Sequence, residues 1–332
     1  MRWIALALGL SACAADLGEP RFSVESCHTV ALIDAETGDT VVGAEDIALD
    51  TNDGVLWVSA YDRLSQSAGG LYRVALSDLS GPSATAPNKI PGFRPHGIEV
   101  GGSNLLAFVN RPLTDEQSEL YSWTPDADNA RDPEGDDRRL TGHSEGHCAL
   151  NDVAYNPFAA DAGDILFGTL DRENCKGGFW ERVLQKRTGR VVSLHHPTGV
   201  RLDDLSIPNG ITYWGDEFWV AEMGQRRLIN FDRETIDLPG APDNLNASEE
   251  GIVAALQPSL WRFGLYRYGF WGKAATRIVL VHPDTKTIEL LYDDPKGRLL
   301  SGATAAVLTD EGTMVASSVR GDRLLVCEAG HG

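Results

Sequence analysis

Asn52-Asp53-Gly54-Val55-Leu56-Trp57-Val58-Ser59 decides the reading of the fold, because it sets a tight turn directly against an apolar strand. Gly accepts the positive φ that a reversal needs, Asn and Asp bond back to their own backbone, and Val and Trp favour the pleated surface of a sheet. The unit recurs along the chain. Gly215-Asp216 precedes Phe218-Trp219-Val220-Ala221, and similar β-rich runs are Gly70-Leu71-Tyr72-Arg73-Val74, Leu105-Leu106-Ala107-Phe108-Val109, Ile165-Leu166-Phe167-Gly168-Thr169, Arg277-Ile278-Val279-Leu280-Val281 and Met314-Val315-Ala316-Ser317-Ser318. Alternating strands such as Glu119-Leu120-Tyr121-Ser122-Trp123 and Arg227-Leu228-Ile229-Asn230-Phe231 follow after loops. No long stretch repeats apolar residues at the helical period, which makes the chain all-β.

At about 40 to 50 residues per four-stranded blade, the span from Cys27 to Cys327 holds about six or seven blades of a β-propeller. Two packed β-sandwiches would account for the strands equally well. Only ring closure needs the chain ends joined, and a bridge between Cys27 and Cys327 would do this. With Cys13 set aside, four cysteines remain, Cys27, Cys148, Cys175 and Cys327, which allow three pairings. Cys-x-x-Cys spacing is absent, and a zinc site has little support.

Residues 1-12 read as a signal peptide of the lipoprotein type. Arg2, a short apolar run from Trp3 to Leu10 and Leu10-Ser11-Ala12-Cys13 place a lipidated Cys13 at the new N-terminus, with an ordinary secretory signal as the runner-up. The run is far below the ~20 residues a membrane span requires. The expected organisation is a linker over 13-26 and one propeller over 27-332. Localisation is expected in a bacterial cell envelope, lipid-anchored or periplasmic or secreted, with membrane contact only through the lipid.

The chain carries 48 acidic against 29 basic residues, a formal charge of -19, which argues against nucleic acid and leaves cations as plausible ligands. Asp126 to Asp137 is acid-rich but lacks the ligand alternation of an EF-hand, and reads as a solvated hairpin loop. Two segments break the strand rhythm: Asp171 to Arg187, and Pro258 to Gly272 with its aromatic cluster. Each is expected as a short helix or lid over one face.

Small oxygen-bearing islands lie against apolar residues at Glu45-Asp46-Ile47, Leu150-Asn151-Asp152-Val153, Pro208-Asn209-Gly210-Ile211 and Asp243-Asn244-Leu245. Glu45, Asn151, Asn209 and Asp243-Asn244 are spaced by about two, one and nearly one blade, as inner-strand positions should be. Two carboxylates and three amides match the six to eight oxygen ligands that Ca²⁺ takes. On a regular strand Asn151 and Asp152 point to opposite faces, which lets neighbours serve two sites.

These islands, together with Pro95-His96-Gly97-Ile98, Leu105 to Pro112, Leu300-Ser301-Gly302-Ala303-Thr304 and Cys327-Glu328, resemble a paraoxonase-type member of the gluconolactonase and regucalcin group. The likeness runs through nearly all of the chain after Cys27. It implies a six-bladed propeller, a Cys27 to Cys327 bridge and two calcium ions. Glu45, Asn151, Asn209, Asp243 and Asn244 would hold the catalytic ion; Asp46, Asp152 and the carbonyl of Ile98 would hold the structural one. It also implies hydrolysis of a small lactone or aryl ester, with His96 as the base that activates water. Two positions depart from the family pattern: Arg111 and Gln257 stand where the family places histidines. Arginine cannot accept a proton near neutral pH, which leaves His96 with another partner, a carboxylate such as Asp243 as base, or a different substrate. The competing functions are a non-catalytic propeller binding a partner or carbohydrate, and a strictosidine-synthase-like enzyme.

Overall fold

Strands apolar on both faces need cover on both sides, and this chain provides it by packing sheets around an axis. The structure is a computed structural model describing residues 17–101, 105–111, 118–123, 149–155, 166–172, 178–194 and 199–328. Cys13, Cys148, Cys175 and the acidic stretch Asp126 to Asp137 lie outside the described residues.

Six sheets are present, each a blade. Written from the axis outward, blade 1 is Ala44–Asp50, Val55–Ala60, Gly69–Ala75 and Asn88–Phe93, and blade 2 is Pro95–Gly101, Leu105–Asn110 and Glu119–Trp123. Blade 3 is Leu150–Tyr155, Leu166–Leu170, Gly189–Ser193 and Val200–Leu205, and blade 4 is Pro208–Trp214, Glu217–Glu222, Arg227–Asn230 and Thr235–Asp237. Blade 5 is Ala241–Ala247, Ile252–Gln257, Thr276–His282 and Thr287–Asp294. Blade 6 combines Ala303–Leu308, Thr313–Ser318 and Leu324–Glu328 from the end of the chain with Cys27–Asp34 from its beginning, and Ser83–Ala86 adds in parallel outside. Each first-named strand packs against that of the next blade, and blade 6 packs against blade 1. The fold is a six-bladed β-propeller.

The core is six apolar layers between neighbouring blades. Blade 5 shows how one strand supplies two of them: Ile252, Ala254 and Leu256 face blade 4, while Val253 and Ala255 face blade 6. Period-two alternation with both sets apolar is why these strands read as continuous hydrophobic runs. The Asn52-Asp53-Gly54 turn closes as expected. Asp50 Oδ1 accepts the N–H groups of Asn52 and Asp53, and Gly54 sits at φ 62°.

Cys27 stands directly opposite Cys327 in the antiparallel pairing that completes blade 6, and the two form a disulfide across a sequence separation of 300. Part of the segment expected as a linker is docked rather than free: Phe22 is buried, its N–H bonds to Leu291 O, and Arg21 pairs with Glu250 and Glu289. Both interruptions of the strand rhythm contain helices, Gly178–Val183 and Leu260–Arg267.

Candidate functional site

The site follows from one irregularity repeated six times. Every inner strand carries a register shift against its neighbour near its first residues: at Ala44/Asp46, Pro95/Ile98, Leu150/Val153, Pro208/Ile211, Pro242/Leu245 and Ala303/Ala305. A β-bulge breaks the two-residue alternation and re-aims side chains. The residues inside these six bulges are Glu45, His96-Gly97, Asn151-Asp152, Asn209-Gly210, Asp243-Asn244 and Thr304. Simple alternation is therefore not what lets neighbouring residues serve two places; the bulge does this. Bulge formation depends on pairing across strands, which a single stretch of sequence does not display.

Two glycines show how close the inner strands come. A Cβ at Gly97 would lie 2.5 Å from Asp152 Cα and 2.7 Å from Asn151 O, and one at Gly210 would lie 2.7 Å from Asn244 Cα and 2.8 Å from Asp243 O. Both lie in strands, although Asn209-Gly210 is a pair that ordinarily marks a turn. They are needed because backbone passes against backbone there.

A chain of hydrogen bonds crosses the upper layer. Arg111 Nη2 donates to Asn151 Oδ1 at 3.0 Å, Asn151 Nδ2 donates to Asn209 Oδ1, Asn209 Nδ2 donates to Asp243 Oδ1 at 2.6 Å, and Gln257 Nε2 donates to Asp243 Oδ2 at 3.2 Å. Asn244 Nδ2 and Thr304 Oγ1 both donate to Glu45 O, which ties blades 5 and 6 to blade 1. Glu45 Oε2 lies 2.5 Å from Arg63 Nη2, and Glu45 Oε1 lies 3.2 Å from His96 Nδ1. His96 and Asn244 are each 1% exposed. Both ring nitrogens of His96 and Asn244 Oδ1 nevertheless have no hydrogen-bond partner among the described residues.

In the lower layer, Asp46 Oδ2 accepts from Ile98 N at 3.0 Å and Asp152 Oδ2 accepts from Ile211 N at 2.8 Å. Each aspartate thereby pins the inner strand of the next blade. Ser59 and Thr169 repeat a second pin, accepting from Asp46 N and Asp152 N while donating to His96 O and Asn209 O. Asp152 Oδ1 is buried without a hydrogen-bond partner among the described residues.

The electrostatics follow from burial. Desolvation, then Asp152, holds Asp46 well above the usual carboxylate range. Burial also holds Asp152 high, eased by the N–H groups of Ile211 and Val153 and reinforced by Glu99 and Asp243. Glu99, from blade 2, is pushed up to about 8 by burial and then by Asp46. Asp243 is pushed up to about 7, by burial first and Glu45 second. Burial, followed by Arg111, Arg63, Arg267 and Arg182, drives His96 well below its ordinary value, and the imidazole is neutral at pH 7.

The structure brings Glu45, Asn151, Asn209, Asp243, Asn244 and His96 to one end of the axis, with Asp46 and Asp152 alongside. Arg111 and Gln257 belong to the same hydrogen-bonded chain. Arg111 bonds Asn151 and Leu150 O, and the group beside His96 is Glu45. Four participants were not legible in the sequence: Arg63, Glu99, Arg182 and Arg267. Arg267 ends a helix inside the aromatic insertion, whose return over the axis no local pattern encodes.

No three His, Cys, Asp or Glu side chains among the described residues form a metal-holding group by themselves. The upper set instead mixes two carboxylates with three amides, all oxygen donors of the hard type calcium prefers. The unbonded oxygens of Asn244 and Asp152, with the mutual repulsion of the buried Asp46 and Asp152 carboxyls, are what a cation would satisfy. The residues fit Ca²⁺.

No family model matches the chain, and no curated protein does. Solved structures do. The chain is similar to a protein assigned as a gluconolactonase, at 15% identity and a TM-score of 0.55, covering 93% of this chain and 94% of the other. The likeness is one of fold. A second similar structure, from Thermus thermophilus, is assigned as an oxidoreductase of the glucose dehydrogenase type, at 10% identity and a TM-score of 0.50, covering 90% and 99% of the two chains. Propellers of one architecture host different chemistries, and function has to be argued from the site.

Proposed function

We propose that the protein is a calcium-dependent hydrolase of small lactones or aryl esters. The observation that carries this reading is the set of oxygen-bearing side chains at equivalent bulges of the inner strands, with Asn244 Oδ1 and Asp152 Oδ1 buried and without a hydrogen bond among the described residues. Glu45, Asn151, Asn209, Asp243 and Asn244 would hold the catalytic calcium, and Asp46, Asp152 and the Ile98 carbonyl the structural one. Bound calcium supplies polarisation of the substrate carbonyl and stabilisation of the negative charge that develops on its oxygen.

The remaining work falls to the chain. His96, neutral and with neither ring nitrogen hydrogen-bonded among the described residues, accepts a proton from the attacking water. Glu45, 3.2 Å from Nδ1, orients the ring and stabilises the imidazolium that results. Gln257 holds Asp243 in place through Oδ2 while it anchors to Ala303 O. The N-terminal sequence extends the proposal to a bacterial cell envelope, with Cys13 as the acylated residue.

Arg63 favours a second reading. Its guanidinium already neutralises Glu45, and a site balanced by arginines alone would need no calcium. Calorimetric titration of chelator-treated protein with calcium separates the two. Asp243, with a value of about 7, must lose its proton to bind a cation. Affinity is thus full above pH 7 and falls as pH drops through it, about tenfold weaker at pH 6 than at pH 8. No binding at either pH supports the metal-free site.

A further inference from the structure

The -19 charge of the chain makes the positive charge around His96 anomalous. Four arginines, two from loops that follow strands of blades 1 and 2 and two from inserted helices, act on its charge. Arg63, 8% exposed at its side chain, reaches Glu45 from the loop after the second strand of blade 1 and lies over the Tyr61 ring at 4.5 Å. Arg111 reaches Asn151 from the end of the second strand of blade 2. Arg182 comes from the helix Gly178–Val183 of blade 3, and Arg267 from the last turn of the helix Leu260–Arg267. Both helices follow strand ends, Leu170 and Gln257, that pair with Leu150 and Ala241 beside the site.

The direct ion pairs do not neutralise this group. Arg63 is paired with Glu45 beside the neutral His96, but Arg182 shares Asp171 with Arg172. Arg111 donates to two neutral oxygens, and no carboxylate lies within ion-pair distance of Arg111 or Arg267 among the described residues. Arg63 Nε is buried and makes no hydrogen bond there, while Nη2 faces Glu45 Oε2. Like charges gathered away from water cost stability unless an anion joins them. A resident calcium ion would raise the positive excess further.

We propose that Arg63, Arg111, Arg182 and Arg267 form a cationic collar over His96 that selects esters or lactones carrying a carboxylate group. This rests on the hydrolase reading and names its substrate class. The planar guanidinium fork matches a carboxylate in two-point geometry. An acidic outer surface with one basic mouth also concentrates an anionic substrate at the mouth alone. Arg267 and Arg63 are the side chains with donor capacity to spare. Arg267 is the better probe, because Arg63 is paired with Glu45, a proposed calcium ligand, and Arg267 forms no ion pair with any such ligand among the described residues.

The test is the ratio of kcat/KM for 3-acetoxybenzoate over phenyl acetate, a matched pair differing by one carboxylate. The expected ratio in the native protein is at least ten, expressed in KM and eroded by 0.5 M salt. Arg267→Gln lowers the ratio at least fivefold, and Arg267→Lys restores part of it. A general loss of packing would move both substrates together and leave the ratio unchanged. A native ratio near one, or a ratio untouched by Arg267→Gln, overturns the proposal. If neither ester is hydrolysed, the aryl-ester part of the hydrolase reading fails by itself and benzoate binding decides the collar. Saturable benzoate binding weakened at least fivefold by Arg267→Gln sustains it, and no such binding overturns it.

Discussion

Replacing Asn209 with Ala lowers kcat/KM by about a thousandfold or more while leaving the propeller folded. The Asn209 amide is the middle of the upper chain, accepting from Asn151 and donating to Asp243. Its loss removes one donor oxygen and releases the two neighbours that it orients. Removing a single group that stabilises transition-state charge costs about 10² to 10³ in rate, and misplacing adjacent ligands adds to that. The structural cost is smaller. Asn151 Nδ2 is left without its acceptor, a penalty of about 1–3 kcal/mol. The Asn209 carbonyl stays pinned by Thr169, and Asp152 still holds Ile211. Steady-state kinetics beside a far-ultraviolet circular dichroism melt distinguish the two effects. Turnover within tenfold of the native protein would remove Asn209 from the machinery.

The second large effect concerns closure. Replacing Cys27 and Cys327 together with Ser lowers the unfolding free energy by about 2–5 kcal/mol, read from urea denaturation under oxidising conditions. A cross-link restricts the unfolded chain more as the loop that it closes lengthens, and this one spans a separation of 300. The bridge also sits at the end of a short register, Cys27 to Val30 against Cys327 to Leu324, through which the first strand pairs with the last blade. Without it that strand frays, and the buried Val30 and Leu32 open with it. The native protein treated with reductant should match the double variant. Midpoints that coincide with the oxidised native protein would mean that packing alone closes the ring.

The propeller was legible because its signals are local. Asn52-Asp53-Gly54 followed by Val55-Leu56-Trp57-Val58 announces a turn and a strand through chemistry confined to one short stretch. Asn151, Asn209 and Asp243 were legible through spacing, since residues about one blade apart on inner strands must meet. What stayed hidden depends on partners distant in sequence. The bulges at Asn151-Asp152 and its five counterparts arise between strands, and Gly97 and Gly210 reveal their need only when another backbone stands against them. Arg63 and Arg267 lie in loop and helix, where no period predicts which way a side chain turns. The aromatic insertion was legible as a short helix, but neither the exposure of Trp261, Phe270 and Trp271 nor its carriage of a cation that acts on His96 was. Arg111 shows a related gap: the sequence marks its position only as a departure from the pattern of the proteins that the chain resembles, while only the structure shows that it bonds Asn151 and that Glu45 stands beside His96.

The measurement that tests the central claim most directly is hydrolysis of a panel of lactones and phenyl acetate by purified protein, before and after calcium is stripped by chelator. The predicted result is turnover of at least one member that disappears on chelation and returns when calcium, but not magnesium, is restored. Turnover that persists without calcium, or none on any member of the panel in calcium-loaded protein, would contradict the assignment of the inner-strand bulges as a calcium-dependent hydrolytic centre.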